Sequence, residues 1–341
     1  MRTRYDVFGI GSPLMDLLVE AKDHDLKQLG LTKGCFHSIS EEDSQRLLSR
    51  IPPEAVTMCA GGSAANTLYG VAMLGGNVIF CGRVGSDSRG ESYQQEMLAG
   101  GVNVRLARSR GLTGQAITLV TPDGERTFAV HLGAALDLEE QDIVLEELQQ
   151  SRILHVEGYL LEDRRLKKTA LYAMQFAKEH GVRISIDLGD PGVVRRNKIA
   201  ITEILEKYGD LVFANEEEAK ELVGLDAREA LQSIAELVEI AVIKLGANGS
   251  YIRDRHGTYE IPSYEAKVID TTGAGDLFAA GVLYGTCCEC NLAISGRIGS
   301  YFAARVVERL GARVARIDRA ELQRLMAKSR SLPSSLDNAP R

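Results

Sequence analysis

The sequence predicts a three-layer α/β/α domain: a mostly parallel central sheet with helices on both faces, carrying a small strand-rich lid. Three observations predict it. Strand-like apolar runs alternate with stretches of helical periodicity along most of the 341 residues, the order that builds βαβ units and covers both faces of a parallel sheet. Two segments, 14–36 and 104–130, break that rhythm. The chain is 45% hydrophobic and 26% charged, so at this length it buries a large core without disulfide or metal staples.

Taken in order, residues 7–11 read as the first strand, and 14–36 as the first lid segment. Helical spacing of apolar residues covers 64–74, a strand follows at 78–84, and a helix at 92–99. The second lid segment, 104–130, alternates apolar and polar residues at Ala116-Ile117-Thr118-Leu119-Val120 and at Thr127-Phe128-Ala129-Val130. The turn residues Pro122-Asp123-Gly124 join those runs as a hairpin. Strands are then expected at 153–156, 184–187, 211–214 and 241–245, with helices at 164–178, 217–223, 227–237, 277–286 and 292–309. The domain extends over residues 1–328, and the Ser- and Pro-containing tail 329–341 is expected to be disordered.

Charge narrows the partners. With 40 Lys plus Arg against 47 Asp plus Glu, the net charge is −7. Sequence-independent nucleic-acid binding needs a basic stripe and is not expected. A phosphate-bearing ligand must be held by local donors, because the mean field repels it. No run reaches the roughly 18 apolar residues of a membrane span. The opening residues run into a strand without a signal-peptide core, so a cytoplasmic location is expected. Among the six cysteines, Cys287, Cys288 and Cys290 cluster, yet no second Cys pair or His stands at zinc-site spacing, and free thiols are expected.

The chemistry concentrates in Asp270-Thr271-Thr272-Gly273-Ala274-Gly275-Asp276, where a β-type run meets a small-residue turn and then a helix. Gly273 and Gly275 let the backbone approach a ligand closely. The unpaired N–H groups and dipole of the helix start make an anion site. A carboxylate at Asp276 is an ordinary helix cap in most proteins. Beside a phosphate cradle it can instead take the proton of an attacking hydroxyl while the amides take the charge of the phosphoryl group.

This stretch resembles the C-terminal signature of the PfkB/ribokinase-like carbohydrate kinases. Gly61-Gly62-Ser63-Ala64-Ala65-Asn66-Thr67, with Gly75-Gly76 and Gly82-Arg83-Val84-Gly85-Ser86-Asp87 after it, is similar to the N-terminal signature. Gly9-Ile10-Gly11-Ser12-Pro13-Leu14-Met15-Asp16 is similar to the first strand and its substrate-binding Asp, and Asn215-Glu216-Glu217-Glu218 resembles the Asn-x-x-Glu motif. The four stand in family order and span the chain to about residue 311. The resemblance implies a ribokinase-like fold and ATP-dependent phosphoryl transfer. It implies Asp276 as the base and Gly273, Ala274 and Gly275 as the anion hole. Asp16, Gly62, Ser63 and Asn66 would hold the substrate. Glu218, with Asn215, would organise Mg²⁺ and its waters, and some relatives carry K⁺ beside Asp270-Thr271-Thr272. Lys244, Gly246 and Gly249 fall in the nucleotide loop, where the family often has Thr in place of Lys244. Arg126 matches an Arg that adenosine-kinase-like members use near the transferred phosphate; a solvent-facing hairpin Arg is the other reading. The Gly9-x-Gly11 pair has Leu14 in place of a third glycine, so a dinucleotide fold does not fit.

Within the family, Ser12-Pro13-Leu14-Met15-Asp16 and Gly299-Ser300-Tyr301-Phe302-Ala303-Ala304 look most like adenosine kinases, with Ser300 near the expected adenine pocket. Ser63 stands where ribokinase-like members carry a Lys that contacts the free sugar. A base at that carbon needs apolar walls, which Leu14 and Phe36 in the lid offer. Glu157 is read either as a substrate contact or as a strand end. The expected activity is transfer of the ATP γ-phosphoryl group to a nucleoside 5′-hydroxyl, adenosine first, a purine-salvage reaction. A sugar kinase acting on ribose, fructose or a keto-deoxy acid is the alternative, and a binder without turnover the third. The lid is expected to close over the substrate, and its strand edges suit either a monomer or a homodimer.

Overall fold

The computed structural model describes residues 3–327 apart from Cys35, Gly124 and Ala315; the side chains of Phe36, Pro53 and Arg126 and the tail 329–341 lie outside the described residues. Fourteen strands are described: β1 Tyr5–Ile10, β2 Leu14–Glu20, β3 Phe36–Ser38, β4 Val56–Gly61, β5 Val78–Gly85, β6 Asn103–Ser109, β7 Gly114–Val120, β8 Arg126–His131, β9 Ser151–Glu157, β10 Arg183–Asp187, β11 Leu211–Asn215, β12 Ile240–Lys244, β13 Ser250–Asp254 and β14 Gly257–Ile261.

Nine of them form the central sheet in the order β14-β13-β12-β11-β10-β9-β1-β5-β6. From β12 to β6 every pairing is parallel, and the β12-β13-β14 edge is antiparallel. Side chains alternate between faces along a strand. Val7, Ile153 and Leu211 therefore pack with the helices Ser63–Leu74, Ala274–Cys287 and Leu292–Val306. Their neighbours Phe8, Leu154 and Val212 pack with Arg164–Glu179 and Pro191–Tyr208 on the other face. Both faces are sealed, which is why these strands read as continuous apolar runs.

The lid is a second sheet, β3-β8-β7-β2-β4, with its own small core of Leu17, Val19, Leu26, Leu47, Ile117, Leu119 and Ala129. The expected hairpin is present as the antiparallel pair β7–β8, Val120 facing Arg126. Two boundaries differ from those read in the sequence. β6 belongs to the central sheet, paired in parallel with β5, so the second lid segment begins at Gly114 rather than at 104. β4, outside both expected segments, supplies a lid edge strand antiparallel to β2. Alternation shows that a strand exists but not which sheet pairs with it; β6 is half-buried except at the exposed Arg108 and carries a pattern close to that of a lid strand.

The parallel strands end on one side, where ligands of such sheets bind. Ile10, Glu157, Asp187, Asn215 and Lys244 close β1, β9, β10, β11 and β12 there, with Glu157 opposite Asp187 and Asn215 opposite Lys244 in register. The lid rises from the same side, because β1 leads through Gly11-Ser12-Pro13 into β2.

Candidate active site

The helix Ala274–Cys287 opens on Gly273, which has φ 75°. A Cβ at Gly273 would lie 2.7 Å from the Ala312 Cα and carbonyl oxygen, so both the left-handed backbone and the contact require glycine. Asp270 braces the turn: one carboxylate oxygen accepts from the Thr272 N–H at 2.6 Å, the other from the Gly311 N–H at 2.8 Å. The Ala274 N–H bends back to the Thr271 carbonyl at 3.2 Å. The amides of Gly273, Gly275 and Asp276 find no acceptor among the described residues, so of the three residues expected to form an anion hole only Ala274 has its amide spent within the turn.

Asp276 sits in the first turn of this helix, half-buried. Ser63 Oγ donates to Oδ1 at 2.8 Å and Asn66 Nδ2 to Oδ2 at 3.1 Å. Its carboxylate is thus bonded to the opposing helix rather than capping its own. Burial pushes its pKa up to about 6, helped by the negative Asp187 and opposed by the bonds from Ser63 and Asn66 and by Lys244. A carboxyl with that value is ionised at neutral pH and is a better proton acceptor than an ordinary Asp.

The wall opposite is built from β2, β4 and the start of the helix Ser63–Leu74. Gly62, its N-cap, has φ 98°, and a Cβ there would lie 2.3 Å from the Ser12 carbonyl. A Cβ on Gly61 would fall 2.2 Å from Asp16 Oδ2, so the Asp16 carboxylate lies flat on bare backbone. Burial pushes Asp16 up to about 7, against the pull of Arg313 and with help from Asp276 and Asp270. Leu14 is half-buried beside it, its Cδ2 against Gly114. Glu157, fully buried, accepts from the Ser12 and Ala64 amides, each at 2.8 Å, and so ties the lid connection to the helix start. Burial raises its pKa to about 7, against those two amide bonds.

Lys244 joins the strand ends. Its Nζ is 2.9 Å from Asp187 Oδ2, and a Cβ on Gly275 would meet the same Nζ at 3.2 Å. The ammonium therefore overhangs the anion turn. Burial pulls its pKa down, but Asp187 and Glu218 more than offset that and hold it above the ordinary lysine value. Asn215 and Glu218 form a capping box: the Glu218 amide donates to Asn215 Oδ1 at 2.8 Å, while the Asn215 amide and Nδ2 donate to the two Glu218 oxygens at 2.8 and 2.7 Å. Both oxygens of Glu218 thus keep one acceptor position each. Among the described residues no cluster of three His, Cys, Asp or Glu stands ready to hold a metal directly. The arrangement fits a cation carried by phosphate oxygens and water, touched by Glu218 through water.

Next to Lys244, Gly246 (φ 57°) has open space above it, and Gly249 (φ 89°) is pressed to where a Cβ would lie 2.0 Å from the Ile261 carbonyl. Ser263 Oγ donates to the Ala247 carbonyl at 2.7 Å. Ser300 Oγ donates to the Pro262 carbonyl at 2.7 Å and so ties this loop to the helix Leu292–Val306. Arg126 has its backbone in β8, and its side chain, like that of Phe36, lies outside the described residues. Cys287, Cys288 and Cys290 are free thiols. Asp187, Arg313 and the anchoring use of Glu157 were missed by sequence reasoning. A carboxylate at a strand's carboxyl end, as in Asp187-Leu188-Gly189, was the available signal for the first.

The pfkB family carbohydrate kinase profile matches residues 39–318. An adenosine kinase of Sinorhizobium meliloti is 32% identical with a TM-score of 0.86, covering 94% of this chain and 98% of its own. A probable sugar kinase of Rhizobium etli is 33% identical, also with a TM-score of 0.86, covering 92% of this chain and 96% of its own. An aminoimidazole riboside kinase of Salmonella typhimurium is 31% identical over 237 residues, 66% of this chain and 73% of that protein. The fold, the anion turn with its carboxylate and these likenesses agree: the chain belongs to the PfkB family of carbohydrate kinases, phosphotransferases with an alcohol group as acceptor.

Proposed function

We propose that the chain transfers the γ-phosphoryl group of ATP to the primary 5′-hydroxyl of a nucleoside, adenosine first. The observation that carries the reading is the pairing of Asp276 with Ser63 and Asn66. A small hydroxyl at 63 puts no cation at that position, which suits a sugar whose C1′ carries an uncharged ring. The likeness to an adenosine kinase over 94% of the chain supports it.

In this reading the Asp276 carboxylate takes the proton of the 5′-hydroxyl as the oxygen attacks phosphorus. The Gly275 and Asp276 amides and the Lys244 ammonium meet the negative charge of the phosphoryl oxygens. Asp16, acceptor-only when ionised, takes hydrogen bonds from the ribose hydroxyls. Asn66, whose Nδ2 reaches Asp276, flanks the same sugar. Gly246 and Gly249 leave room for the nucleotide, and Leu14 covers the base. Mg²⁺, when bound with ATP, neutralises phosphate charge, and Glu218 meets its water shell. Lid closure keeps water from competing for the phosphoryl group.

The sugar-kinase reading has its own support in the probable sugar kinase of Rhizobium etli, as similar in fold as the adenosine kinase. A screen with ATP and Mg²⁺ over nucleosides, ribose, fructose and keto-deoxy acids decides between them. Adenosine turnover is expected. Turnover of free sugars with none of nucleosides overturns the acceptor, and binding without turnover of any of them overturns catalysis.

A further inference from the structure

Arg313 lies outside every motif that carries the family resemblance, yet it reaches the acceptor wall. Its segment is pinned to the anion turn from behind: the Gly311 amide donates to Asp270, and Ala312 backs Gly273. From there the half-buried side chain crosses to the helix Ser63–Leu74. Its guanidinium lies over the Tyr69 ring, 4.5 Å from the centroid. Nη2 meets the Met97 sulfur at 3.0 Å, and Nε points to Asn66 Oδ1 at 3.5 Å.

This is an unusual setting for a guanidinium. Five donors are available, but among the described residues they find only an amide oxygen and a thioether, and no carboxylate at ion-pair distance. Half-buried, it is held in this place by the Tyr69 ring, the Met97 sulfur and the Asn66 oxygen.

We propose that Arg313 is a positioning residue for the acceptor: together with Asp276 it holds the Asn66 amide in one orientation. The proposal follows from donor chemistry. Arginine only donates, so Asn66 presents Oδ1 to it, which leaves Nδ2 for Asp276 Oδ2 at 3.1 Å. With Arg313 gone, the amide loses one of its two anchors, and its aim beside the acceptor loosens.

The inference rests on the acceptor role proposed for Asn66, and the test separates the two. Wild type, Arg313→Met and Arg313→Lys are assayed with ATP, Mg²⁺ and the acceptor that wild type turns over in the screen. Arg313→Met is expected to raise the acceptor KM about tenfold and leave the ATP KM within about threefold. Arg313→Lys, which keeps a cationic donor at that place, should recover part of the acceptor KM. If the Met variant does not fold, Arg313→Gln is used in its place. An unchanged acceptor KM in a folded Met or Gln variant overturns the inference alone. So does a uniform loss in which both KM values move together with the melting temperature. A wild type that turns over nothing overturns both the inference and the reading beneath it.

Discussion

Replacing Asp276 with Asn removes the proposed base and little else. Asn keeps one oxygen, which continues to accept from Asn66 Nδ2. Its new NH₂ faces Ser63 Oγ, a hydroxyl able to accept as well as donate, so both contacts at 2.8 and 3.1 Å survive with a change of direction. The anion turn is untouched, because it is held by Asp270 and Ala312. Turnover should fall by about 10²–10⁴-fold, the usual contribution of a positioned acid or base, or about 3–5 kcal/mol of transition-state stabilisation. ATP affinity should stay within about threefold. Stability should move the other way. Holding Asp276 ionised at neutral pH, when its pKa in the fold is about 6 rather than 3.8, opposes folding by up to about 3 kcal/mol. Asp276 is only half-buried, so half that value is a fair expectation. The assays are steady-state kinetics with a coupled ADP readout, calorimetry of ATP binding, and thermal melts above pH 7. Turnover within threefold of wild type refutes the base role, and a lowered melting temperature refutes the electrostatic account of the site.

Asp16→Ala should raise the acceptor KM at least about tenfold with the ATP KM unchanged; equal changes in both would remove Asp16 from acceptor recognition. Gly62→Ala forces a methyl onto the Ser12 carbonyl at φ 98° and should cost at least about 2 kcal/mol of stability, read as a lowered melting temperature; an unchanged melt contradicts the placement of that turn. Lys244→Met strips the cation from Asp187 and Glu218 and should cost about 3 kcal/mol while raising the ATP KM; a stable variant with normal ATP affinity contradicts the overhanging ammonium. The pH dependence has a definite sign. Asp16, Glu157 and Glu218, raised to about 7, and Asp276, raised to about 6, favour the fold when protonated, so stability grows as pH falls from about 8 to 6.5 while activity declines. Buried His155, lowered to about 4, works against the fold below its unfolded pKa of about 6.5. Four carboxyls that gain protons on folding outweigh one histidine that loses one, so thermal melts should keep rising as pH falls to about 5; a steady rise in stability up to pH 8 contradicts these assignments.

What the sequence could show depended on how local the cause was. The strands of the central sheet are apolar on both faces, so β1, β5, β9, β10, β11 and β12 stand out as runs, and the anion turn announces itself through Gly273 and Gly275 ahead of an apolar helix. Partnership between distant segments was less legible. β4, with Met58 exposed and Ala60 buried, carries no signal of which sheet it joins. The helix Pro191–Tyr208 was overlooked, although Asp190 caps it by accepting from the Gly192 and Val193 amides and Pro191 starts it. The bond from Ser300 to the Pro262 carbonyl, 38 residues away, likewise had no local mark. Arg313 had no local mark at all: its placement comes from Gly311 being bonded to Asp270, 41 residues earlier in the chain.

The central claim is that the transferred phosphoryl group sits on the Gly275 and Asp276 amides with the acceptor oxygen at the Asp276 carboxylate. A crystal structure with a non-hydrolysable ATP analogue and the acceptor tests it directly. The account predicts γ-phosphate oxygens within hydrogen-bond reach of those amides and of Lys244, and the acceptor hydroxyl about 2.6–3.2 Å from an Asp276 oxygen. A γ-phosphate bound elsewhere, or a hydroxyl held away from Asp276 by an intervening side chain, contradicts it.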